Sequence, residues 1–544
     1  MIRTRLIAAA ACGIALTQPV AAQRVANPTV VYAVGAEPAV PLPLFGNNEE
    51  SNEDVADQLF LHLVVFAPNS HGTADNAFVP SLARAWHRID PVTLTFDIDP
   101  RARWQDGVPV TSRDVIYTWG LANDPTVGLD RSRLDPIASV EAVGERRVRV
   151  RFKQPSAEQV YTFGFLMQPL PAHLLEKLSP SAIAASDFAR HPIGNGPYRF
   201  DHRTPGLAVE LHADTAFFLG RPGIARVVVR TTTDATARVN LFLTGETDVL
   251  DKIPLPSIPQ VTQRAGGRII ALASNRLAYL LINSRSPGDS TQPHPVLGDA
   301  RVREALAIAL DRTTIAHTVF GAASDVPDAA QSQIWSWITG GTIHGAPANP
   351  ARARALLAQA GWRDANGDGV VERNGTPLRF TLIYAASSAA GNLVALQAQQ
   401  MWRSIGAEVT LEKLDGGVVG NRVRTGQWDM VFLAANQDPT PSSLVQSWSC
   451  KSAHQAGSTN FAHWCDATFD QLVQRALTAR DQAAAWRDVL TRMSSQRPAI
   501  FIAAPGNPIA VNSRYDNVIL WPSHTWLSLW QWRVRPGAAL PRDR

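Results

Sequence analysis

The sequence predicts an α/β protein that carries an additional α+β lobe. Strand and helix patterns alternate in β-α-β order between Thr376 and Asn436. The region from about 53 to 192 contains short alternating strands joined by turns, a pattern typical of an antiparallel sheet. A chain of 544 residues also exceeds what one hydrophobic core normally serves, so we expect two or three lobes.

The β-α-β unit begins with a strand whose apolar residues occupy every second position from Leu378 to Tyr384. A helix follows from Gly391 to Ser404, and we expect Leu393 and Leu396 on its apolar face. A second strand starts at Ala407, and a short unbroken apolar run, Met430 to Ala435, predicts a strand buried on both faces. Crossovers of this kind join parallel strands.

Two further helices are predicted upstream of this unit. One begins at Pro350 behind the capping residue Asn349, and the other begins near Asp299, with Val302, Leu306 and Leu310 on one stripe. Together with the β-α-β unit they complete the α/β lobe.

The additional lobe is predicted from two alternating strands, Leu94 to Ile98 and Val148 to Phe152, with a turn at Gly144-Glu145. Arg147, Arg149 and Arg151 point to one side of the second strand. A nucleic-acid-binding stripe is one interpretation, but the solvated face of an antiparallel sheet is the favoured one.

Residues 1–22 have the pattern of a cleaved secretory signal: basic residues, an apolar stretch from Leu6 to Leu16, and the small-residue site Val20-Ala21-Ala22. Lipid attachment at Cys12 is disfavoured because the apolar stretch before it is short. We therefore expect a periplasmic protein. The formal charge of +4 gives no reason to invoke nucleic acid or an anionic membrane.

Cys450 and Cys465 remain after cleavage, and an oxidising compartment favours their pairing as a disulfide. His454 and His463 lie close in sequence, so a zinc site is the alternative. The C-x3-H and H-x-C spacings match no common zinc finger, and the disulfide is favoured.

The sequence shows no common catalytic motif: no G-x-S-x-G, no H-E-x-x-H and no phosphate-binding P-loop. Asp364 to Gly369 begins like a calcium-binding loop, but its twelfth position is Gly375 rather than glutamate. A polar turn is the simpler interpretation. We expect no enzyme activity, no cofactor and no resident metal.

Three separated motifs carry a family resemblance: W-Q-D-G-V-P-V-T-S-R-D-V from Trp104, G-N-G-P-Y from Gly194, and D-A-R-V-R-E-A-L-A-I-A-L-D-R from Asp299. Shorter pieces at Pro80–Trp86, Leu243–Asp248 and Ala353–Trp362 occur in the same order. In these motifs and their order, the chain resembles the family 5 extracellular solute-binding proteins, which are the dipeptide, oligopeptide and nickel receptors of ABC importers.

The resemblance implies a periplasmic-binding-protein-like clamp of cluster C type, with two jaws and an extra lobe. A discontinuous first domain would comprise residues 23–52, 193–283 and 505–544. Residues 53–192 would form the extra domain, and residues 284–504 the second jaw.

Ligands of open parallel sheets bind beyond the carboxyl ends of the strands. This rule selects three segments: Tyr384 to Ser388, Asp415 to Gly417, and Ala435 to Asp438. The candidate residues in the first and third segments are Tyr384, Ser387, Ser388, Ala435, Asn436 and Asp438. From the opposite jaw, the resemblance implies Asn47, Asn48 and Glu49.

Peptide receptors of this family place an aspartate four residues before the proline that corresponds to Pro439, where it pairs with the peptide's α-amino group. This chain has Ala435 there. We expect free-amino peptides to bind poorly unless Glu49 or Asp438 supplies the charge, because a buried unpaired ammonium is costly. Blocked peptides, opine-like conjugates and oligosaccharides are then the candidate solutes.

The resemblance therefore implies a monomeric receptor that delivers a small solute to an ABC permease. A ligand sensor that docks on a membrane signalling protein is the first alternative. An exported hydrolase is the second.

Overall fold

The computed structural model describes residues 27–45, 50–67, 70, 74–127, 134–338, 340–341, 343–454, 458–522 and 524–544. The predicted signal segment and the candidate ligand residues Asn47, Asn48 and Glu49 lie outside these ranges. None of the described helices is long and apolar enough to cross a membrane.

The strands β1 to β24 are, in chain order, Thr29–Val34, Val64–Phe66, Phe78–Pro80, Ala83–Asp90, Thr93–Ile98, Ile137–Ala142, Arg147–Phe152, Tyr198–Thr204, Ala208–Ala213, Arg226–Thr231, Val249–Leu250, Gly267–Leu272, Arg276–Ile282, Arg285–Ser286, Asp289–Pro293, Glu372–Arg373, Thr376–Pro377, Arg379–Ala385, Glu408–Leu414, Met430–Asn436, Ala499–Ala503, Asn507–Asn512, Tyr515–Asp516 and Arg533–Val534. The helices α1 to α16 are Glu50–Leu59, Ser112–Asn123, Ala172–Leu175, Pro180–Ala185, Asp187–Arg190, Ala235–Thr244, Ile258–Gln263, Ala300–Ala309, Arg312–Phe320, Pro350–Gln359, Ala389–Arg403, Gly416–Thr425, Leu444–Trp448, Cys450–Ala453, Ala467–Thr478 and Gln482–Gln496.

A seven-stranded mixed sheet forms the first lobe, in the order β12-β22-β11-β1-β10-β9-β8. β1 runs parallel to both β10 and β11, and the other neighbours are antiparallel. The strands come from three separated stretches, 29–34, 198–272 and 507–512. Each stretch lies inside one of the three segments expected for a discontinuous first domain.

The insert lobe contains a four-stranded antiparallel sheet, β4-β5-β7-β6. Along β7 the apolar residues are buried and the arginines between them are exposed. Arg147 pairs with Asp97 on β5, as expected of a solvated face. The buried residues of this lobe and of the first lobe form one continuous core, so the insert is packed firmly onto the first lobe.

The second jaw is built on a five-stranded sheet in the order β19-β18-β20-β13-β21. β18 is parallel to β19 and β20, as the predicted crossover requires, and β13 is antiparallel to β20 and β21. Helices α8 to α11 pack on one face of the sheet, and α12, α13, α15 and α16 pack on the other. The sheet is therefore covered on both faces.

The domain boundary expected after residue 283 would place β13 in the first domain, but this strand belongs to the sheet of the second jaw. Arg276 to Ile282 pair along their whole length with β20 in the second jaw. The strand is apolar toward both helical layers, with Leu280 in one core and Leu281 in the other. The first domain therefore ends before Arg276.

The apolar face predicted for α11 is also wrong. Leu393 and Leu396 are 47% and 48% exposed, and the buried residues are Gly391, Val394, Ala395, Ala398 and Trp402. Trp402 sets the rotation of the helix, because its indole N–H donates to the Leu306 carbonyl at 2.8 Å and its ring packs edge-on against Phe380. Small residues on the buried side suit a helix that lies close to its sheet.

Two of the family motifs join the insert to the first lobe. The N–H groups of Asn195 and Gly196 both donate to the Leu59 carbonyl, at 2.9 and 2.8 Å. A Cβ on Gly194 would lie 1.9 Å from that oxygen, so only glycine fits there. Gln105 of the first motif donates to the Tyr198 carbonyl and accepts from the Gly194 N–H. These motif residues have structural roles.

The third motif stabilises the second jaw. Asp299 caps α8 and accepts from Arg301 and Arg373. Arg312 at the end of the motif forms a buried ion pair with Asp328, which also pairs with Arg497. The residues quoted from this motif therefore serve the core rather than a ligand.

Candidate functional site

The rim of the second jaw lies where the parallel strands β18, β19 and β20 end. Ala385 pairs with Leu414, and Ile383 pairs with Val431, so the three strands end at one edge of the sheet. The segments Tyr384–Ser388, Asp415–Gly417 and Ala435–Asp438 therefore lie at this edge, as the sequence predicted.

Three of the predicted residues on this rim are exposed: Ser387, Ala435 and Asn436. They are available to a solute. Ala435 and Asn436 lie at the end of β20, opposite Leu277 and Arg276 of β13.

Other predicted residues on the same rim are engaged in the fold. Tyr384 is 4% exposed and lies in the α8–α11 core. Its hydroxyl donates to Asn392 at 3.1 Å. The prediction that Tyr384 contacts a ligand is wrong for this arrangement, because strand alternation places its ring on the same side as Leu382 and Phe380.

Ser388 and Asp438 stabilise local backbone structure. Ser388 caps α11 by accepting the Gly391 N–H at 2.9 Å. Asp438 accepts from the N–H and the hydroxyl of Thr440, each at 2.9 Å. Gln437 lies in the selected segment but was not among the candidate residues. It accepts the Ser332 N–H and donates to the Ala330 carbonyl, which ties the end of β20 to the loop at residues 330–332.

The first jaw has a corresponding rim that the sequence analysis missed. β1, β10 and β11 run parallel and end at one edge of their sheet. The residues that follow them are Gly35–Glu37, Thr232–Asp234 and Asp251–Lys252. β11 has only two residues, too few for a periodic pattern. The one sequence signal for this rim was the charged pair Asp251 and Lys252 directly after the apolar pair Val249 and Leu250.

Acidic residues gather next to this first rim. Lys252 donates to Glu50 at 2.5 Å, which joins the loop after β11 to the first turn of α1. Asp54, one turn further along α1, is only 7% exposed. Burial raises the pKa of Asp54 well above its usual range, and Glu50, Asp251 and Asp57 raise it further against the effect of Lys252. Burial also raises the pKa of Asp251.

Asp57 forms a separate buried network with two histidines. It accepts from His62 at 3.0 Å, His524 at 2.8 Å and Gln168 at 3.0 Å. The other ring nitrogen of His62 faces the Phe165 carbonyl. His62 is thereby held between the Asp57 carboxylate and the Phe165 carbonyl.

The charge on Asp57 is maintained by these histidines. Burial alone would raise the pKa of this carboxyl, but the charges and hydrogen bonds of His524 and His62 outweigh it and hold the pKa below its usual range. The three side chains are of types that bind transition metals, and their ligand atoms lie within 4.8 Å of one another. Here they bond to each other, which supports a structural role.

The two metal-binding alternatives considered from the sequence, the acidic segment from Asp364 and the pair Cys450 and Cys465, have other partners in the structure. Asp364 accepts the N–H groups of Gly367 and Gly369, and Asp368 accepts that of Val370, so the acidic segment is a hydrogen-bonded turn. Cys450 and Cys465 are joined by a disulfide. Their sulfurs therefore do not act as the thiolates that the zinc alternative required.

Comparison with known proteins identifies the class. Residues 77–456 match the family model described as the middle region of the bacterial extracellular solute-binding proteins, family 5. The chain belongs to this family and is accordingly a solute-binding receptor rather than an enzyme.

Individual relatives have low sequence identity to this chain but align with most of its length. The chain is 22% identical over 470 residues to the oligopeptide-binding protein AppA of Bacillus subtilis, covering 83% of each chain. It is 27% identical over 376 residues to a putative ABC transporter peptide-binding protein of Brucella ovis, covering 68% of this chain and 67% of that protein.

The fold is shared with solved structures. AppA from Bacillus subtilis in complex with a nonapeptide superposes with a TM-score of 0.73 at 21% identity, over 93% of this chain and 99% of that chain. A putative peptide-binding protein AppA from Clostridium difficile superposes with a TM-score of 0.79 at 17% identity, over 93% of this chain and 100% of that chain.

Proposed function

We propose that the protein is exported by cleavage of its first 22 residues and works in the periplasm as the receptor of an ABC importer. It captures a peptide-like solute between its two jaws and delivers it to the membrane subunits of the permease. The observation that carries this proposal is the pair of strand-end rims, one in each jaw. A solute held between two such rims is released when the jaws open.

Peptides are the favoured solute class because the relatives named above are described as peptide-binding proteins. The exposed Ser387, Ala435 and Asn436 would form the second jaw's side of the site, and Asn47, Asn48 and Glu49 remain the candidate ligand residues of the first jaw. Opine-like conjugates and oligosaccharides are the other solute classes that the uncharged Ala435 suggests. We propose a monomeric receptor.

Copurification tests the solute class directly. The mature chain is produced with export, purified without denaturant, and then gently denatured so that any bound solute is released for mass spectrometry. We expect peptide masses in about stoichiometric amount. Recovery of sugars alone would contradict the peptide assignment.

Scattering tests the capture mechanism. A clamp closes on its ligand, so the radius of gyration should fall when the recovered solute is added to the stripped protein. A matched control is the same protein with a chemically unrelated solute. If the recovered solute binds and the radius of gyration does not change, closure on binding is contradicted.

A further inference from the structure

We propose that Asp201, Glu210 and His212 form a binding site for a divalent transition-metal ion, with Zn²⁺ as the ion that fits best, on the outer face of the first lobe. The site is separate from both strand-end rims, so the inference goes beyond the proposed function and does not depend on it. For this lobe it replaces the expectation of no resident metal.

Two of the three residues lie on β9, next to β8 at the end of the seven-stranded sheet. Glu210 and His212 are two residues apart, so they project from the same face of the strand. The residues that alternate with them, Val209 and Leu211, are fully buried in the core of the first lobe. Glu210 and His212 therefore project from the opposite face of the sheet, toward solvent.

A β-bulge in β8 brings Asp201 to this cluster. Phe200 pairs with Leu211 and His202 pairs with Glu210, so Asp201 is an extra residue between two regular pairs. Such a bulge redirects a side chain. His202 contacts both carboxylates: its Nδ1 lies 2.8 Å from Asp201 Oδ2, and its Nε2 lies 3.7 Å from Glu210 Oε1. The two acids and His202 thus lie together on the outer face.

The distances between the ligand atoms suit zinc. One ligand atom from each of Asp201, Glu210 and His212 lies within 4.8 Å of the other two, and His212 Nε2 is 3.3 Å from Asp201 Oδ2. Two atoms that are each about 2.0–2.1 Å from a tetrahedral zinc ion lie about 3.3 Å apart. A zinc ion therefore fits between His212 and Asp201 and takes the place of the proton in their contact, because a ligating imidazole is neutral.

Glu210 is held by an arginine and keeps one oxygen for the ion. Arg226 Nε donates to Glu210 Oε2 at 2.7 Å, whereas Oε1 is the oxygen nearest His202. Hydrogen bonds of this kind orient metal ligands. Arg226 balances one of the two carboxylates, and Arg199 on β8 is paired with Asp214. With neutral imidazoles, the site keeps a negative charge that attracts a cation.

The site is accessible from solvent. The side chains of His212 and Asp201 are 53% and 45% exposed, so an ion reaches them without any unfolding. The second cluster of metal-binding residue types within the described ranges, at Asp57, His62 and His524, differs in this respect. The side chains of His62 and Asp57 are 3% and 1% exposed. An added ion therefore meets the outer cluster first.

The ligand types select the class of metal. An imidazole combined with carboxylates suits Zn²⁺ and its neighbours in the transition series, whereas Ca²⁺ and Mg²⁺ prefer oxygen ligands alone. Three protein ligands leave the fourth position of a tetrahedral ion to water. Cys450 and Cys465 are joined in a disulfide and offer no competing thiolate. We therefore expect zinc to bind here through one nitrogen and two carboxylate groups.

The test uses the exported, untagged chain after treatment with a chelator, and Zn²⁺ is the probe. Calorimetry measures affinity, and native mass spectrometry measures stoichiometry. The variants are His212→Ala and Asp201→Asn. The matched control is His87→Ala, which removes an exposed histidine that contacts the Asp97 carboxylate at 3.5 Å. We expect wild type and the control to bind zinc stoichiometrically, and each variant to lose at least about tenfold in affinity.

Three further readouts separate ligation from effects on the fold. Without zinc, the variants should keep nearly the wild-type Tm, because the contacts they remove are exposed. With excess zinc, the Tm of wild type and of the control should rise more than that of the variants. X-ray absorption of the bound zinc should show nitrogen and oxygen neighbours at about 2.0–2.2 Å, with an imidazole and no sulfur. Ca²⁺ should bind at least about tenfold more weakly than Zn²⁺.

Three results would overturn the site. They are failure of wild type to bind zinc stoichiometrically, equal zinc affinity in wild type and both variants, and loss of zinc from His524→Ala with retention by His212→Ala. The last result would place the metal at the buried cluster instead. Solute capture is measured separately, so each of these results leaves the proposed function intact.

Discussion

The carboxylate of Glu158 in the insert lobe accepts a hydrogen bond from the backbone N–H of Ser442 in the second jaw, at 3.3 Å. Glu158 is 4% exposed and Ser442 is half-buried, and the contact joins two lobes that are distant in sequence. The pKa of Glu158 is raised to about 7: burial is the largest cause and nearby Asp438 acts in the same direction, while hydrogen bonds from Ser442 and Thr440 oppose the shift. The contact links the lobes through a group that titrates near neutral pH.

The first prediction is that Glu158 makes the stability of the folded protein depend on pH. A carboxyl whose pKa is higher in the folded state binds its proton more tightly there, so the folded state is favoured at low pH and loses stability as pH rises from about 4.5 to about 7. Glu158→Gln should remove roughly 1–3 kcal/mol of this dependence. Urea unfolding at pH 5 and pH 8 measures it.

The control for this prediction is Glu141→Gln, an exposed acid of the same lobe, which should leave the pH dependence as in wild type. An identical pH dependence in wild type and Glu158→Gln would contradict the assignment.

The second prediction concerns the buried Asp57 network. Asp57→Asn removes the buried carboxylate that contacts both His62 and His524, and it should cost about 3–5 kcal/mol at neutral pH. Because the pKa of Asp57 is lowered in the folded protein, wild type should lose this contribution as pH falls through the acidic range. Thermal and urea unfolding measure both effects.

Asp201→Asn is the matched control, because Asp201 also contacts two histidines, His202 and His212, but on the exposed surface. It should change the free energy of unfolding by less than about 0.5–1 kcal/mol. Equal costs for the two substitutions would show that burial of the Asp57 network contributes nothing.

The third prediction tests the glycine at the junction of the lobes. Gly194→Ala would force a Cβ to within 1.9 Å of the Leu59 carbonyl oxygen. Because the obstacle is backbone, the substitution should cost more than about 3 kcal/mol or prevent folding. Gly120→Ala is the control: it lies in α2 with no atom near the added methyl, so it should be neutral or stabilise by up to about 1 kcal/mol. A soluble Gly194→Ala protein with the wild-type Tm would be the contradicting result.

The fourth prediction is that the exported protein contains the Cys450–Cys465 disulfide. Alkylation without reductant, followed by intact-mass analysis, should label neither cysteine, and replacing both with serine should cost about 2–4 kcal/mol. Labelling of two thiols, or bound zinc in stoichiometric amount, would refute the disulfide. A reduced and alkylated sample provides the control for complete labelling.

Local features were predictable from the sequence because they depend on neighbours in the chain. The alternation from Leu378 to Tyr384 predicted β18, and the cap at Asn349 predicted α10. The edge of the second sheet followed from the β-α-β pattern, so the candidate rim with Ala435 and Asn436 could be named. The motif at Gly194 was one of six pieces whose order indicated the family, although its role as a backbone junction with Leu59 could not be deduced from the motif.

The tertiary structure decided what depends on distant residues. Whether Tyr384 faces a solute or a core is set by which helix covers that side of the sheet, and α11 was rotated by the contacts of Trp402 rather than by its leucines. β13 joined the second jaw because a strand apolar on both sides is stable only between two helical layers. Glu50 and Lys252 are 202 residues apart, and only the position of α1 against the end of β11 brings them together. Local patterns determine elements, whereas burial and charge pairing across the chain determine the site.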